Sequence, residues 1–166
     1  MTLAERIVEA ILSPEEHGTS WAGETVYHGT GREHAGSISK RIDVNKSLGY
    51  FGYAFYVADD PKLAKSNYAD FADDEPVILA FKIAPSARIA DAREENEMYA
   101  TFSRVSQQGR GLSDPAMPAR MVAAGVDGIY DRSMGGIAIY NPKALIPLGE
   151  WTGASAAVAA PRQPSA

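Results

Sequence analysis

The stretch that most constrains this chain is Leu48-Gly-Tyr-Phe-Gly-Tyr-Ala-Phe-Tyr-Val-Ala-Asp-Asp-Pro61, read together with Val26-Tyr27-His28-Gly29-Thr30 upstream of it. The upstream piece is a short apolar strand, Glu24 to His28, that ends in His-Gly-Thr. The downstream piece is a glycine-flanked, tyrosine-rich loop that feeds a second apolar strand, Ala54 to Ala58. Asp60-Pro61 then opens a helix, an N-cap followed by proline at the first helical position, and that helix carries Ser66-Asn67-Tyr68. Aromatic hydroxyls at Tyr50, Tyr56 and Tyr68, one imidazole and several glycines suit a cradle for a planar ligand. A packed core does not require them.

The rest of the chain alternates short elements without strict strand–helix order. Glu33 to Lys40 predicts a short helix. The helix from Asp60 predicts a run to about Ala72, ending in the acidic turn Asp73-Asp74-Glu75-Pro76. Val77 to Ile83 predicts an apolar strand, and Ala87 to Ala90 is read as continuing the sheet. Glu94 to about Gln107 predicts a helix, and Asp114-Pro115 starts another that Gly125 ends as a C′ residue. Asp127 to Asp131 and Ile137 to Asn141 predict two short strands around Arg-Ser-Met-Gly-Gly, and Leu145 to Leu148 a last one. Strands and helices mixed irregularly favour an α+β fold over a doubly wound sheet.

Composition narrows the function classes. With 166 residues and 45% hydrophobic content there is material for one domain with a sizeable core. A net charge of −5 argues against general affinity for phosphate backbones. The absence of cysteine removes disulfides, thiolate nucleophiles and cysteine metal sites. His17, His28 and His34 lack a spaced carboxylate partner, so no metal is expected. The N-terminus reads as an amphipathic helix opened by Thr2 and Glu5 as a capping box, with Leu3, Ile7, Val8 and Ile11 on one face. It does not read as a secretory signal, and no apolar run approaches membrane-spanning length. The expected location is cytoplasmic, or a target cell reached without an N-terminal signal. After Trp151 the chain turns to Gly, Ala, Ser and Pro, a composition that predicts a disordered tail.

Three motifs in order carry a resemblance to the ADP-ribosyltransferases, specifically the branch of diphthamide-modifying toxins and poly(ADP-ribose) polymerases. Val-Tyr-His28-Gly29-Thr30-Gly is similar to that branch's His-Gly-Ser/Thr strand. Gly49-Tyr50-Phe51-Gly52 running into Phe55-Tyr56-Val57-Ala58-Asp59 resembles its Gly-Tyr loop and the strand that follows. Lys65-Ser66-Asn67-Tyr68 resembles its Ser-x-x-Tyr helix, with a one-residue shift. The resemblance covers roughly residues 24 to 148. It implies a compact, split antiparallel sheet with peripheral helices, in which residues 1–23 form an N-terminal helix and linker, 24–151 the catalytic domain and 152–166 the tail.

The resemblance also implies NAD as substrate and a role for each residue. Cleaving the nicotinamide–ribose bond passes through an oxocarbenium-like state, as in glycoside cleavage. Tyr56 and Tyr68 would hold the planar cationic nicotinamide on its two faces. The backbone of Gly29 and the hydroxyl of Ser66 would bind its carboxamide. His28 would hold a hydroxyl of the adenine-side ribose with Thr30 nearby, and Tyr50 would lie on a loop over the dinucleotide. These are orienting and electrostatic roles.

One motif departs from the pattern. The family's late strand begins with a glutamate, whereas here it reads Gly136-Ile-Ala-Ile-Tyr140-Asn141. Three readings stay open. Asp131, at the end of the preceding strand, supplies the carboxylate, a layout similar to that of a compact phage-encoded ADP-ribosyltransferase. Or geometry and a base on the acceptor suffice. Or the protein binds NAD or ADP-ribose without turnover. All three oppose polymer formation.

Each residue also has a plainer alternative. His28 can cap a turn in the core, Tyr56 and Tyr68 can simply pack, Asp131 can open a turn, and Tyr50 can be an exposed loop residue. The expected function is a mono-ADP-ribosyltransferase that modifies a macromolecular acceptor, protein or nucleic acid, as a toxin or effector in host conflict. The runner-up is a non-catalytic NAD or ADP-ribose module acting through partners. A third reading, an RNA 2′-phosphotransferase-like relative, requires clustered basic residues and a second histidine in the site, for which His34 is the candidate.

Overall fold

A computed structural model describes residues 21–91, 97–107, 110–131 and 135–153. The expected N-terminal helix, the turn residues 132–134 and the tail from 154 onward lie outside the described residues. Strand β1 spans Thr25–Gly31 and helix α1 Arg32–Lys40. A two-stranded hairpin of β2 (Leu48–Gly49) and β3 (Gly52–Tyr53) precedes β4, Phe55–Ala58. Helix α2 covers Pro61–Asn67, followed by a 3-10 turn at Ala69–Phe71. Strands β5 (Pro76–Ile83) and β6 (Ile89–Asp91) lead to α3, Glu97–Ser106, and α4, Met117–Ala123. Strands β7 (Gly128–Asp131), β8 (Gly136–Ile139) and β9 (Leu145–Glu150) complete the order.

Seven of these strands form one sheet in the order β6-β7-β8-β4-β1-β5-β9. Every adjacent pair is antiparallel except β6–β7, whose long crossover contains α3 and α4. The chain is therefore α+β with a mostly antiparallel open sheet.

Strand alternation builds two apolar faces. Val26, Phe55, Val57, Leu79, Phe81, Ile137 and Ile139 share one face and pack with Ala35 and Ile38 of α1. On the other, Tyr27, Ala58, Ile78 and Ala80 meet Ala64 and Ala69. Those alanines are small enough to let α2 lie close to the sheet. Further along that face Ala138 and Ile129 meet Phe102 of α3 and Met117 and Met121 of α4. Each fully buried large side chain, such as Phe81 or Ile83, contributes about 2 kcal/mol in transfer free energy.

Two sequence expectations need correction. The helix from Asp60 stops at Asn67 instead of Ala72, because Tyr68 leaves helical geometry (φ −135°, ψ −56°) and a 3-10 turn follows. The helix expected from Asp114 begins at Met117, and Asp114 instead accepts a hydrogen bond from the Ala116 N–H at 2.9 Å. Trp21, in the segment that links to the fold, is buried edge-on against Tyr130 with ring centroids 4.5 Å apart. The two helix-end signals hold. Asp60 caps α2 by accepting from the Lys62 N–H at 2.8 Å, and Gly125 takes φ +86° after α4. Among the described residues no helix is long and apolar enough to cross a membrane.

Candidate functional site

Strand β1 pairs with β5 along its whole length but with β4 at a single position, Tyr27 against Ala58. The two central strands therefore part at His28. The imidazole fills the opening, with Nδ1 2.6 Å from the Tyr56 carbonyl oxygen. A carbonyl only accepts, so Nδ1 carries the proton of that bond. Burial drives the His28 pKa down to about 4, against a smaller upward pull from the carbonyl. At neutral pH the ring is thus uncharged, and Nε2 is left as an acceptor for a ligand's hydroxyl. Phe55 stacks on the imidazole at 4.0 Å between centroids and 22° between planes. Tyr68 lies near-parallel to it at 6.5 Å and 16°.

Gly29 has a reason of its own to be glycine. A Cβ there would lie 2.0 Å from the Ala64 carbonyl oxygen and 2.8 Å from the Ala69 nitrogen. The backbone of α2 and its following turn sit directly on the strand. Just past this contact α2 ends, and Tyr68 lies near-parallel to the His28 ring. Tyr68 remains 40% exposed, and burial of the rest raises its phenol pKa. Ser66 is exposed, and its hydroxyl leans on the Leu63 carbonyl at 3.5 Å.

Tyr56 faces away from Phe55 and Val57, as alternation requires. Its hydroxyl donates to the Gly52 carbonyl at 2.6 Å and accepts from the Phe51 N–H at 3.0 Å. Desolvation raises its pKa to about 12, with the nearby Tyr68 phenol adding to the shift. The ring leaves no room for a side chain at Gly49, where a Cβ would lie 2.6 Å from Cζ. The family resemblance implies a stacking role for Tyr56. The structure adds that its hydroxyl fastens the tyrosine loop to the sheet. Tyr50, at the hairpin tip, is 66% exposed and meets Phe51 edge-on at 5.2 Å.

Asp131 and Gly136 are register partners across β7 and β8. Gly136 in turn pairs with Ala58, and Ala138 with Tyr56. By parity Asp131 points to the same sheet face as Tyr56. The two Cα atoms are two strands and one side-chain row apart, on the order of 12 Å. Gly136 has φ outside the left-handed region and open space beside its Cα. An added Cβ would find the Val57 carbonyl oxygen as its nearest neighbour, at 4.0 Å.

Beside His28 a cavity of about 450 Å³ opens between the sheet and α1. His28, Thr30 and Phe55 line it from the sheet, His34 and Ser37 from α1, and Arg41, Asp43, Lys46 and Ser47 from the segment that follows. Arg41 and Lys46 are not among the residues the sequence singles out. The available signal was four cations, Arg32, Lys40, Arg41 and Lys46, within twenty residues of His-Gly-Thr on a chain of net charge −5. With Asp43 lining the same wall, Arg41 and Lys46 leave it a net positive charge able to meet phosphate groups. A shallower concavity of about 400 Å³, between Lys40 and Lys143, holds none of the expected site residues. Among the described residues no cluster of three or more His, Cys, Asp or Glu could hold a metal ion.

The structure thus brings His28, Phe55, Tyr68 and Thr30 together around the strand opening, and it places Tyr56 and Asp131 on the sheet face opposite the cavity. It leaves Ser66 and Tyr50 at the periphery. No protein-family model and no curated protein matches the chain.

Proposed function

We propose that the protein is a mono-ADP-ribosyltransferase that transfers ADP-ribose from NAD to a macromolecular acceptor. The fold would be the split-sheet arrangement of that family, with the opening between β1 and β4 as its cleft. The observation that carries the reading is His28. It is a neutral acceptor lodged where the central strands separate, stacked against Phe55 and parallel to Tyr68, at the mouth of a cavity walled by Arg41 and Lys46.

In this reading His28 Nε2 accepts from a ribose hydroxyl, and Arg41 and Lys46 meet the diphosphate. Tyr56 and Tyr68 orient the nicotinamide. The bond between the ribose anomeric carbon and the nicotinamide nitrogen breaks, and its electron pair leaves with nicotinamide. The acceptor's nucleophilic atom then bonds to that carbon and gives up its proton. Asp131, opposite the glycine that stands where the family has glutamate, lies on the sheet face away from the cavity. It would stabilise the cationic ribose of an NAD that threads the opening between β1 and β4.

The test is incubation with labelled NAD and a host lysate. Label transfer and nicotinamide release are expected, and both are lost in His28→Ala. No transfer and no release, with NAD bound equally by the parent and His28→Ala, overturns the reading.

A second reading is favoured by one observation. His34, Arg41 and Lys46 gather around the cavity of His28, as a relative of the RNA 2′-phosphotransferases requires. An RNA oligonucleotide bearing an internal 2′-phosphate separates the two. Its dephosphorylation with NAD consumption supports the second reading, and its inertness alongside lysate labelling supports the first.

A further inference from the structure

Both backbone groups of Phe51 are held by tyrosine hydroxyls from the sheet. Its N–H donates to the Tyr56 hydroxyl at 3.0 Å, and its carbonyl accepts from the Tyr140 hydroxyl at 2.9 Å. Tyr140, just past β8, is 1% exposed, and the Phe51 ring is buried edge-on against Phe102 at 5.3 Å. Gly52 turns the chain with φ +84° and packs where a Cβ would strike the Met117 sulfur at 2.6 Å. The base of the hairpin is closed by the Ala54 N–H donating to the Ser47 carbonyl at 3.2 Å. The feet of this closed unit are Ser47 on one side and Phe55 on the other, and both line the cavity beside His28.

We propose that Tyr140 is a positioning residue for the ligand cavity. Through the Phe51 carbonyl it holds the hairpin of β2 and β3, and thereby the wall formed by Lys46, Ser47 and Phe55. The hairpin is a fixed wall and not a mobile lid. Tyr140 touches no ligand in this arrangement. Its hydroxyl is spent on one buried acceptor, and its ring packs with Met121 and Ala138 in the same apolar cluster. The geometric part of the proposal is independent of the NAD reading, and only its kinetic consequence rests on it.

Tyr140→Phe keeps the ring and removes the hydroxyl, leaving the Phe51 carbonyl without its partner. Amide hydrogen exchange across residues 47–54 is expected to accelerate about tenfold, the effect of losing one buried hydrogen bond locally, while β1 and β5 stay as in the parent. Tyr130→Phe, whose hydroxyl donates to Asp59 away from the hairpin, leaves exchange in 47–54 unchanged. In nicotinamide release, Tyr140→Phe raises KM for NAD about tenfold with kcat within about twofold, because the wall loosens while the bond-breaking groups stay in place. Unchanged exchange in 47–54, or exchange faster by the same factor in every strand, overturns the positioning role. Local acceleration in a protein that releases no nicotinamide upholds the positioning role and removes the NAD reading alone.

Discussion

Asp131 stands directly across the β7–β8 ladder from Gly136, so a carboxylate lies one strand away from the position where a glutamate would begin the late strand. Both residues belong to the row that continues through Ala58 of β4, on the face that carries Tyr56. Asp131→Asn is expected to lower kcat for nicotinamide release by about 10²–10³, the scale of losing one electrostatic stabiliser of a developing charge, with NAD affinity unchanged. Gly136 has room for a side chain. Gly136→Glu in the Asp131→Asn background should therefore fold and restore part of the activity. Calorimetry with NAD and a nicotinamide-release assay read the two effects separately, and full activity in Asp131→Asn removes the carboxylate from the mechanism.

His28 links stability to acidity. Its pKa is about 4 in the folded protein because burial disfavours the cation, against about 6.5 in an unfolded chain. Between these values the unfolded state binds more protons. The stabilisation from keeping His28 neutral is complete above about pH 6.5, is lost as pH falls to about 4, and changes no further below that. Since the ring retains some contact with the cavity, the loss is at most about 3 kcal/mol. Urea unfolding at pH 7.5 and pH 4.5 should show a smaller difference for His28→Gln than for the parent. Identical differences would mean that His28 titrates normally.

Gly29→Ala tests the contact between α2 and β1. The added methyl would sit 2.0 Å from the Ala64 carbonyl, a backbone atom that cannot rotate away. The expected cost is about 3 kcal/mol or more, the range of severe overpacking, seen as a large fall in Tm. Gly36→Ala serves as the control, because a Cβ at that exposed helix position meets nothing, and it should raise stability slightly.

Arg41 and Lys46 line the cavity of His28, and no ion pair to either is found among the described residues. Replacing either by alanine should weaken NAD about tenfold, as loss of a charge-assisted contact does. Calorimetry at two salt concentrations should show the parent's affinity falling with salt more steeply than that of the double variant. Equal slopes would place the phosphates elsewhere.

Asp127 ties three elements. Its carboxylate accepts from the Arg88 N–H at 2.8 Å and the Asn141 side-chain amide at 3.0 Å, and its carbonyl accepts from the N–H groups of Tyr140 and Asn141. Asp127→Ala leaves the first two donors without a partner and should destabilise the protein by about 2–4 kcal/mol, read by chemical denaturation. An unchanged midpoint would show that water replaces the carboxylate without loss.

Much of the fold was legible because local signals agree with it. The Asp60-Pro61 cap, the Gly125 stop and the apolar run Val77 to Ile83 act within a few residues of themselves, and each appears in the structure where the sequence places it. The glycine-flanked tyrosine loop was legible as a loop but not as a hairpin. Its turn is held by the hydroxyls of Tyr56 and Tyr140, one of which lies 89 residues from Phe51 in sequence.

By itself, then, the sequence determined an α+β chain and the local motifs: a strand ending in His28-Gly29-Thr30, a glycine-tyrosine loop, and a capped helix leading to Tyr68. These follow from side-chain periodicity and capping, which are short-range. Only the tertiary structure decided that β1 and β4 separate at His28, that Gly29 must be glycine to admit the α2 backbone, and that Arg41 and Lys46 wall the cavity. It alone set Asp131 opposite Gly136. Those relationships depend on which strands become neighbours and in what register. Strand order is fixed by the burial of whole faces, a property of the assembled sheet that no single segment carries.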